Sequence, residues 1–280
     1  MNGWSEHYPA PAKLNLMLRV VGRRADGYHL LQTVFRFIDH GDMLRFRVRA
    51  DGVISRVNPV EGVAENDDLC VRAARALQVA AGTTLGADID LDKRLPLGGG
   101  LGGGSSDAAT TLLALNNLWK TGLNRAKLQD LALKLGADVP VFVFGRNALA
   151  EGIGEALKSI EMPPAWYVVL APPVAVSTAS VFSHPGLKRD SKKATIQGFS
   201  DITPVNDLEP LVCQEYPDVA RYLSWLGQYG AAMMTGSGAC VFAVFDTQAQ
   251  ASGVLGRLPE DMRGFVARGL ERHPLHELAQ

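Results

Sequence analysis

Residues 98–104 read Gly-Gly-Gly-Leu-Gly-Gly-Gly and pass directly into Ser105-Ser106-Asp107 and an apolar helical pattern. A run so poor in side chains cannot build a hydrophobic core. It is useful where something must approach the main chain closely or where the backbone needs positive φ. A glycine loop opening a helix presents unpaired N–H groups at the positive end of the helix dipole, which suits phosphate. Gly98, Gly99, Gly100, Gly102, Gly103 and Gly104 are therefore a candidate anion loop. Ser105, Ser106 and Asp107 can cap the helix, and either serine hydroxyl could also meet a phosphate or its metal. A plain glycine-rich turn with a serine cap is the competing reading.

Two familiar phosphate loops fit poorly. No Gly-Lys pair occurs in the chain, which excludes the Walker pattern. Gly98-x-Gly100-x-x-Gly103 satisfies the dinucleotide fingerprint, but it lies near residue 100, and no well-placed acidic residue follows about 20 positions on. A glycine-dense stretch meets that pattern easily.

The rest of the sequence sets the context. With 280 residues, 47% apolar and 20% charged, the chain has the composition of a soluble globular protein of one large or two ordinary domains. The net charge of −1 and the lack of a basic block give no footprint for nucleic acid, while leaving room for a local pocket for a small anion. Cys70, Cys213 and Cys240 stand far apart without a CxxC pair, so neither a disulfide framework nor a zinc site is expected. The start MNGWSEHYPA lacks the features of a signal peptide, and WYVVLAPPVAV is cut by Pro172 and Pro173 and is too short for a bilayer. These features lead us to expect a cytoplasmic protein without membrane or nucleic-acid partners.

Alternation predicts strands over 13–18, 43–48 and 87–91, and a further strand over 166–170. Helices are expected from a cap at Asp67 or Asp68 to Gly82, from 108 to 119, and from Arg125 to Leu135 with Gly136 as a left-handed stop. Residues 141–151 look like a strand pair, 183–204 like a loop, 207–229 like two helices, and AAMMTGSGACVFAVF like strand–turn–strand. The tail HPLHELAQ carries little signal. A domain boundary is expected near 150–165.

PLGGGLGGGSSDAA resembles the central motif, P-x-x-x-G-L-G-S/G-S-S-A/D-A-A, of the GHMP kinases, in which a glycine loop and a helix N-terminus wrap the phosphates of ATP. PAKLNLMLRVVGRRADGYHLLQTVF resembles the first motif of that family, and MTGSGACVFAVF the third. PAKLNL, then GRRADGYHLLQT, then GADVPVF narrow the resemblance to the branch acting on the 2-hydroxyl of 4-diphosphocytidyl-2-C-methyl-D-erythritol, in the non-mevalonate isoprenoid pathway. The likeness runs from about residue 8 to the terminal HPLH segment.

That resemblance implies an α+β fold of two domains, each a mixed or antiparallel sheet packed with helices. Residues 1–155 would bind ATP, and residues 156–280 would complete the substrate site. It implies ATP and Mg2+, a small cytidine diphosphate substrate, and a monomer or weak homodimer. Pro96, Leu101 and the glycines would belong to the nucleotide loop, with Lys93 on the adenine side. Asp68 departs from the asparagine many relatives have beside adenine, and an ionised carboxylate donates no hydrogen bond.

On the acceptor side, Asp138 matches the general base and Lys13 the cation beside it. Read alone, Asp138 fits a helix N-cap and Lys13 an exposed strand lysine. Tyr28 matches the residue stacked on cytosine, His29 the group at its polar edge, and Phe182 the opposite face of the ring. Asn15 and Thr178 match further polar positions, while Gly236 and Gly238 would bring N–H groups to substrate phosphate. Alone, Tyr28 and His29 read as surface residues, Phe182 as core, and the glycines as a hairpin turn. No metal ligand is assigned.

Overall fold

The computed structural model describes residues 3–25, 27–60 and 62–279. The alternation over 13–18 and 43–48 belongs to two long antiparallel strands, β1 (Tyr8–Arg23) and β2 (His29–Arg49). The short β3 (Ile54–Arg56) leads to α1 (Leu69–Ala81), β4 (Gly86–Asp92), α2 (Gly103–Leu118), α3 (Arg125–Leu135) and α4 (Val139–Phe144). The hairpin β5 (Ala148–Gly152) and β6 (Ala156–Ser159) is followed by β7 (Trp166–Leu170) and α5 (Thr178–Ser183). Then come α6 (Glu209–Glu215), α7 (Pro217–Leu226), β8 (Ala232–Met234), β9 (Val241–Phe245), α8 (Gln248–Leu255) and β10 (Gly264–Arg268).

These strands make two sheets. In the first, the order is β3-β4-β2-β5-β6, with β1 on the other edge of β2. The two ends of β2 have different partners on one edge: residues 31–35 pair with β5 and 43–49 with β4. The second sheet, β10-β7-β9-β8, is antiparallel throughout. Helices α1–α4 pack on the first sheet around Phe37, Phe46, Leu77, Leu112 and Phe142. A second core gathers Val168, Leu170, Leu208, Tyr222 and Val241, and a third, with Leu14, Met17, Leu101, Val169 and Phe242, joins the two sheets. Both faces of β1 are therefore buried, and its polar residues Lys13 and Asn15 point inward instead of into solvent.

Local chemistry explains several boundaries. The Asp68 carboxylate accepts from the Cys70 and Val71 N–H groups to start α1, and Gly82 at φ 61° closes it. Helix α2 begins at Gly103, earlier than expected, with Gly102 at φ 72° as its N-cap and no side-chain cap. Ser105, Ser106 and Asp107 thus lie inside its first turns and none caps it. Gly136 ends α3 in an extended conformation (φ 170°), so it is not the left-handed stop expected.

The strand pair expected over 141–151 is half helix. Residues 139–144 form α4, with Pro140 in its first turn. A proline there loses no helical hydrogen bond, and buried Val139, Val141, Phe142 and Val143 make the segment look strand-like by composition. The first sheet extends past residue 155 to Ser159. After β10 the tail returns to the first core, where Ala279 is buried and Leu270, Leu275 and Leu278 pack.

Candidate active site

Lys13 reaches the centre of the molecule because β1 is covered on both sides. It is 2% exposed, and its Nζ donates to Asn15 Oδ1 (2.6 Å) and to the Gly100 carbonyl (2.9 Å). The same ammonium lies 3.3 Å from Asp138 Oδ2 and 5.4 Å from the centre of the Phe35 ring. Asn15 is held in turn: its N–H donates to Thr235 Oγ1 (3.0 Å) and its Nδ2 to Thr33 Oγ1 (2.8 Å). Asp138 occupies the N-cap position of α4 without making a side-chain cap. Its carboxylate is more than a third exposed and faces the cavity.

The glycine loop is built against the rest of the protein. Leu101 O accepts from Lys13 N (3.0 Å), while Gly98 O and Gly99 O accept from Ala239 N (3.2 Å) and Cys240 N (3.1 Å). A methyl group on Gly100 would lie 2.2 Å from the Thr235 carbonyl oxygen, and one on Gly102 would lie 3.0 Å from Lys13 and Phe142. At these two positions glycine admits the protein's own chain. Gly102, Gly103, Gly104 and Ser105 supply the N–H groups that precede the first helical bond, Ser106 N–H to Gly102 O.

Pro96, Gly98, Gly99, Gly100, Leu101 and Gly102 line a cavity of about 410 Å³. Gly103, Gly104, Ser105, Lys13, Asn15 and Asp138 line it as well, as does Lys93. Ser106 does not: it is fully buried and its Oγ donates to the Pro11 carbonyl (2.7 Å), so its hydroxyl is unavailable to a ligand. Gly236 and Ser237 reach the wall, but Gly238 does not, and its N–H is bound to Thr235 O (3.0 Å).

A second cavity, of about 470 Å³, adjoins the first and is lined by Tyr28, His29, Thr178 and Phe182. Leu31, Ala137, Ile153, Thr178 and Phe182 border both. The His29 and Phe182 rings lie 5.0 Å apart, and Thr178 Oγ1 shares a hydrogen bond with Ser237 Oγ (2.7 Å). Tyr28 is 60% exposed. Asp26, part of the turn signal before Tyr28, lies outside the described residues.

The chain that carries this glycine loop, lysine–carboxylate pair and aromatic cavity is similar to known proteins over nearly its whole length. The family described as GHMP kinases N terminal domain matches residues 68–146, and GHMP kinases C terminal matches residues 191–264. A 4-diphosphocytidyl-2-C-methyl-D-erythritol kinase of Nitrosospira multiformis is 63% identical over 97% of this chain and 94% of its own length. The chain belongs to the GHMP kinases. The enzyme of the same name from Thiobacillus denitrificans is 60% identical over 98% of each chain. A crystal structure of 4-(cytidine 5'-diphospho)-2C-methyl-D-erythritol kinase superposes with a TM-score of 0.81 at 33% identity, covering 94% of this chain and 98% of that one.

In this GHMP kinase two expected nucleotide residues are tied to other groups. Lys93 Nζ lies 2.6 Å from Asp42 Oδ2 and 2.8 Å from Asp107 Oδ2. Asp42 Oδ1 also accepts from the Arg94 and Leu95 N–H groups (2.6 and 2.8 Å). Burial opposes the Lys93 charge, yet Asp107 and Asp42 raise its pKa. Burial pushes Asp107 the other way for an acid, up to about 7 despite Lys93, with Asp42 adding to the rise. Asp107 borders a side cavity of about 200 Å³ with Lys93, Leu69, Leu97 and Gly104, not the main one. Asp68 lines that side cavity too, but its Oδ1 caps α1 and its Oδ2 is 2.6 Å from Arg56 Nη1.

Sequence reasoning missed Asp42, Thr33, Thr235, Ser237 and Arg189. Thr33 and Thr235 stood within the matched motifs, so a signal existed. Arg189 had none: it sits in the unpatterned 183–204 stretch, where its Nε donates to His29 Nε2 (3.0 Å). Among the described residues no helix is long and apolar enough to cross a membrane, and no cluster of three or more His, Cys, Asp or Glu side chains could hold a metal ion.

Proposed function

We propose that the chain transfers the γ-phosphoryl group of ATP to the 2-hydroxyl of 4-diphosphocytidyl-2-C-methyl-D-erythritol, a step in the non-mevalonate route to isoprenoid precursors. One observation carries this reading: the Lys13–Asp138 pair, at 3.3 Å, lines the glycine-loop cavity, and Ala137, next to Asp138, borders the adjoining aromatic cavity as well. Identity of 60% or more with kinases of that name supports the choice of substrate.

The phosphates of ATP take the open N–H groups of residues 102–105, assisted by the α2 dipole. The cytosine enters between Tyr28 and Phe182, with His29 at its edge, and the diphosphate passes Thr178, Ser237 and the Gly236 turn. Asp138 accepts the hydroxyl proton as the oxygen bonds to phosphorus and the bond to ADP breaks. Lys13 stabilises negative charge on the carboxylate and on the attacking oxygen. Mg2+ would need no protein cage here, since phosphate oxygens and water would supply most of its ligands, and Ser105 is the loop hydroxyl that would help hold it. When bound, it would neutralise charge on the transferred group.

ADP release by the purified protein, measured with the cytidine diphosphate substrate, homoserine and mevalonate, tests the proposal. Release with the first alone is expected. Release with homoserine alone would overturn it.

A further inference from the structure

We propose that Arg189 is a positioning residue that fixes the proton of His29 on Nδ1 and so makes the aromatic cavity select cytosine over uracil. The inference rests on the cytidine diphosphate substrate proposed above. Arg189 is held from four directions. Its Nε donates to His29 Nε2 (3.0 Å), its Nη1 to Leu187 O (2.9 Å), and its Nη2 to Phe182 O (2.9 Å) and His184 O (2.8 Å). A guanidinium is charged at all working pH values and can only donate. His29 Nε2 must therefore present its lone pair to Arg189, which leaves a neutral ring with its proton on Nδ1. The three carbonyl contacts keep the planar fork from turning away, so the ring cannot exchange tautomers at low cost.

The surroundings agree with a neutral ring. Burial disfavours the imidazolium, and the charges of Arg189 and Arg23 add to that. The His29 ring packs on Phe182 and lines the same cavity as Tyr28. A flat base held by those rings meets a histidine with one N–H to give and no free ring acceptor. Cytosine satisfies that donor at N3, the ring position where it accepts and uracil does not; O2 accepts in both bases and cannot discriminate. Uracil carries a hydrogen on N3, which would face Nδ1–H and leave both donors unpaired, a mismatch that disfavours it against cytosine. Arg189 also links this recognition to the 182–187 turn that carries Phe182, so stacking wall and polar edge are set by one side chain.

Two measurements on the full-length protein test this. Long-range nitrogen–proton NMR spectra of the ligand-free protein should show His29 as the Nδ1–H tautomer, and Arg189→Ala should shift it to mainly Nε2–H. Finding Nε2–H in the unmodified protein, or no change in Arg189→Ala, would overturn the proposal whatever the substrate. In steady-state assays the cytidylyl substrate should be preferred over its uridylyl analogue by about 100-fold or more in kcat/KM, narrowing to within about 10-fold in Arg189→Ala. KM for ATP should stay within about 2-fold. If Arg189 merely braced the 182–187 turn, KM would rise for both bases alike, and an unchanged ratio would overturn its role in selection. Failure of the unmodified protein to turn over either substrate would instead refute the function proposed above, with the NMR result still deciding whether Arg189 sets the tautomer.

Discussion

At 3.3 Å from Asp138 and within hydrogen-bond reach of Asn15 and the Gly100 carbonyl, the Lys13 ammonium has little freedom. Asp138 keeps its exposure to the cavity and spends nothing on capping α4. A carboxylate so placed can accept a proton, and Asp138→Asn removes that ability with almost no change in shape. Turnover should fall roughly 10²–10⁴-fold with KM for ATP little changed. Near-normal turnover in a folded variant would exclude Asp138 as the base. Tyr28 lies at the other extreme, 60% exposed at the rim of the aromatic cavity. Stacking is worth about 1–3 kcal/mol per base, so Tyr28→Ala should raise KM for the cytidylyl substrate by roughly 5- to 150-fold and leave ATP binding intact. An unchanged KM would remove Tyr28 from the site.

Between β1 and the turn after β8, the loop over residues 98–102 acts as a connector. Gly100 at φ 73° has the Thr235 carbonyl where a side chain would begin, 2.2 Å from an added Cβ. Gly100→Ala combines that clash with a left-handed conformation an alanine disfavours by about 1 kcal/mol, so the loop must move. The thermal midpoint should drop and KM for ATP should rise together. A variant with a raised KM and unchanged stability would mean the loop does not brace the turn. The same elements show what sequence could reveal. The close backbone approach at the glycine run, β1, α1, β4 and α3 were legible because glycine content, alternation and Asp68 capping are local signals. The start of α2 was not, since Gly103 and Gly104 look like loop until Leu69, Leu95 and Lys93 pack against them. Helix α4 was read as strand because its composition is strand-like and its helicity depends on Pro140 and on burial. Ser106 was misassigned because a buried Pro11 carbonyl 95 residues away claims its hydroxyl. Arg189 and Asp42 act only through distant partners, which no local pattern records.

Across the molecule, two buried groups on different elements pull stability in opposite directions with pH. Asp107 has its pKa raised by burial from 3.8 to about 7, so between those values the folded state holds a proton that the unfolded chain has lost. Its contribution is present at low pH and disappears as pH rises through about 7. His273, fully buried against Phe37 and Phe142, is held down at about 3 from 6.5, by burial first and then by His276 and Arg125. There the unfolded chain binds the extra proton, so its contribution is present above 6.5 and disappears as pH falls through about 3. Over the shared window the two slopes cancel, and single substitutions should expose each. Urea unfolding at fixed pH should show Asp107→Asn gaining on the parent by about 1.4 kcal/mol per pH unit from about pH 4 to 7. His273→Asn can still accept the Leu275 N–H that Nδ1 now takes at 3.1 Å. It should lose ground against the parent as pH rises from about 3 to 6.5 by the same amount per unit. Subtracting the parent removes the titrations common to all three proteins, so the difference curves isolate one group each. Parallel curves for Asp107→Asn and the parent would mean that Lys93 keeps Asp107 ionised, and that the cluster beside the glycine loop is a full ion-paired triad.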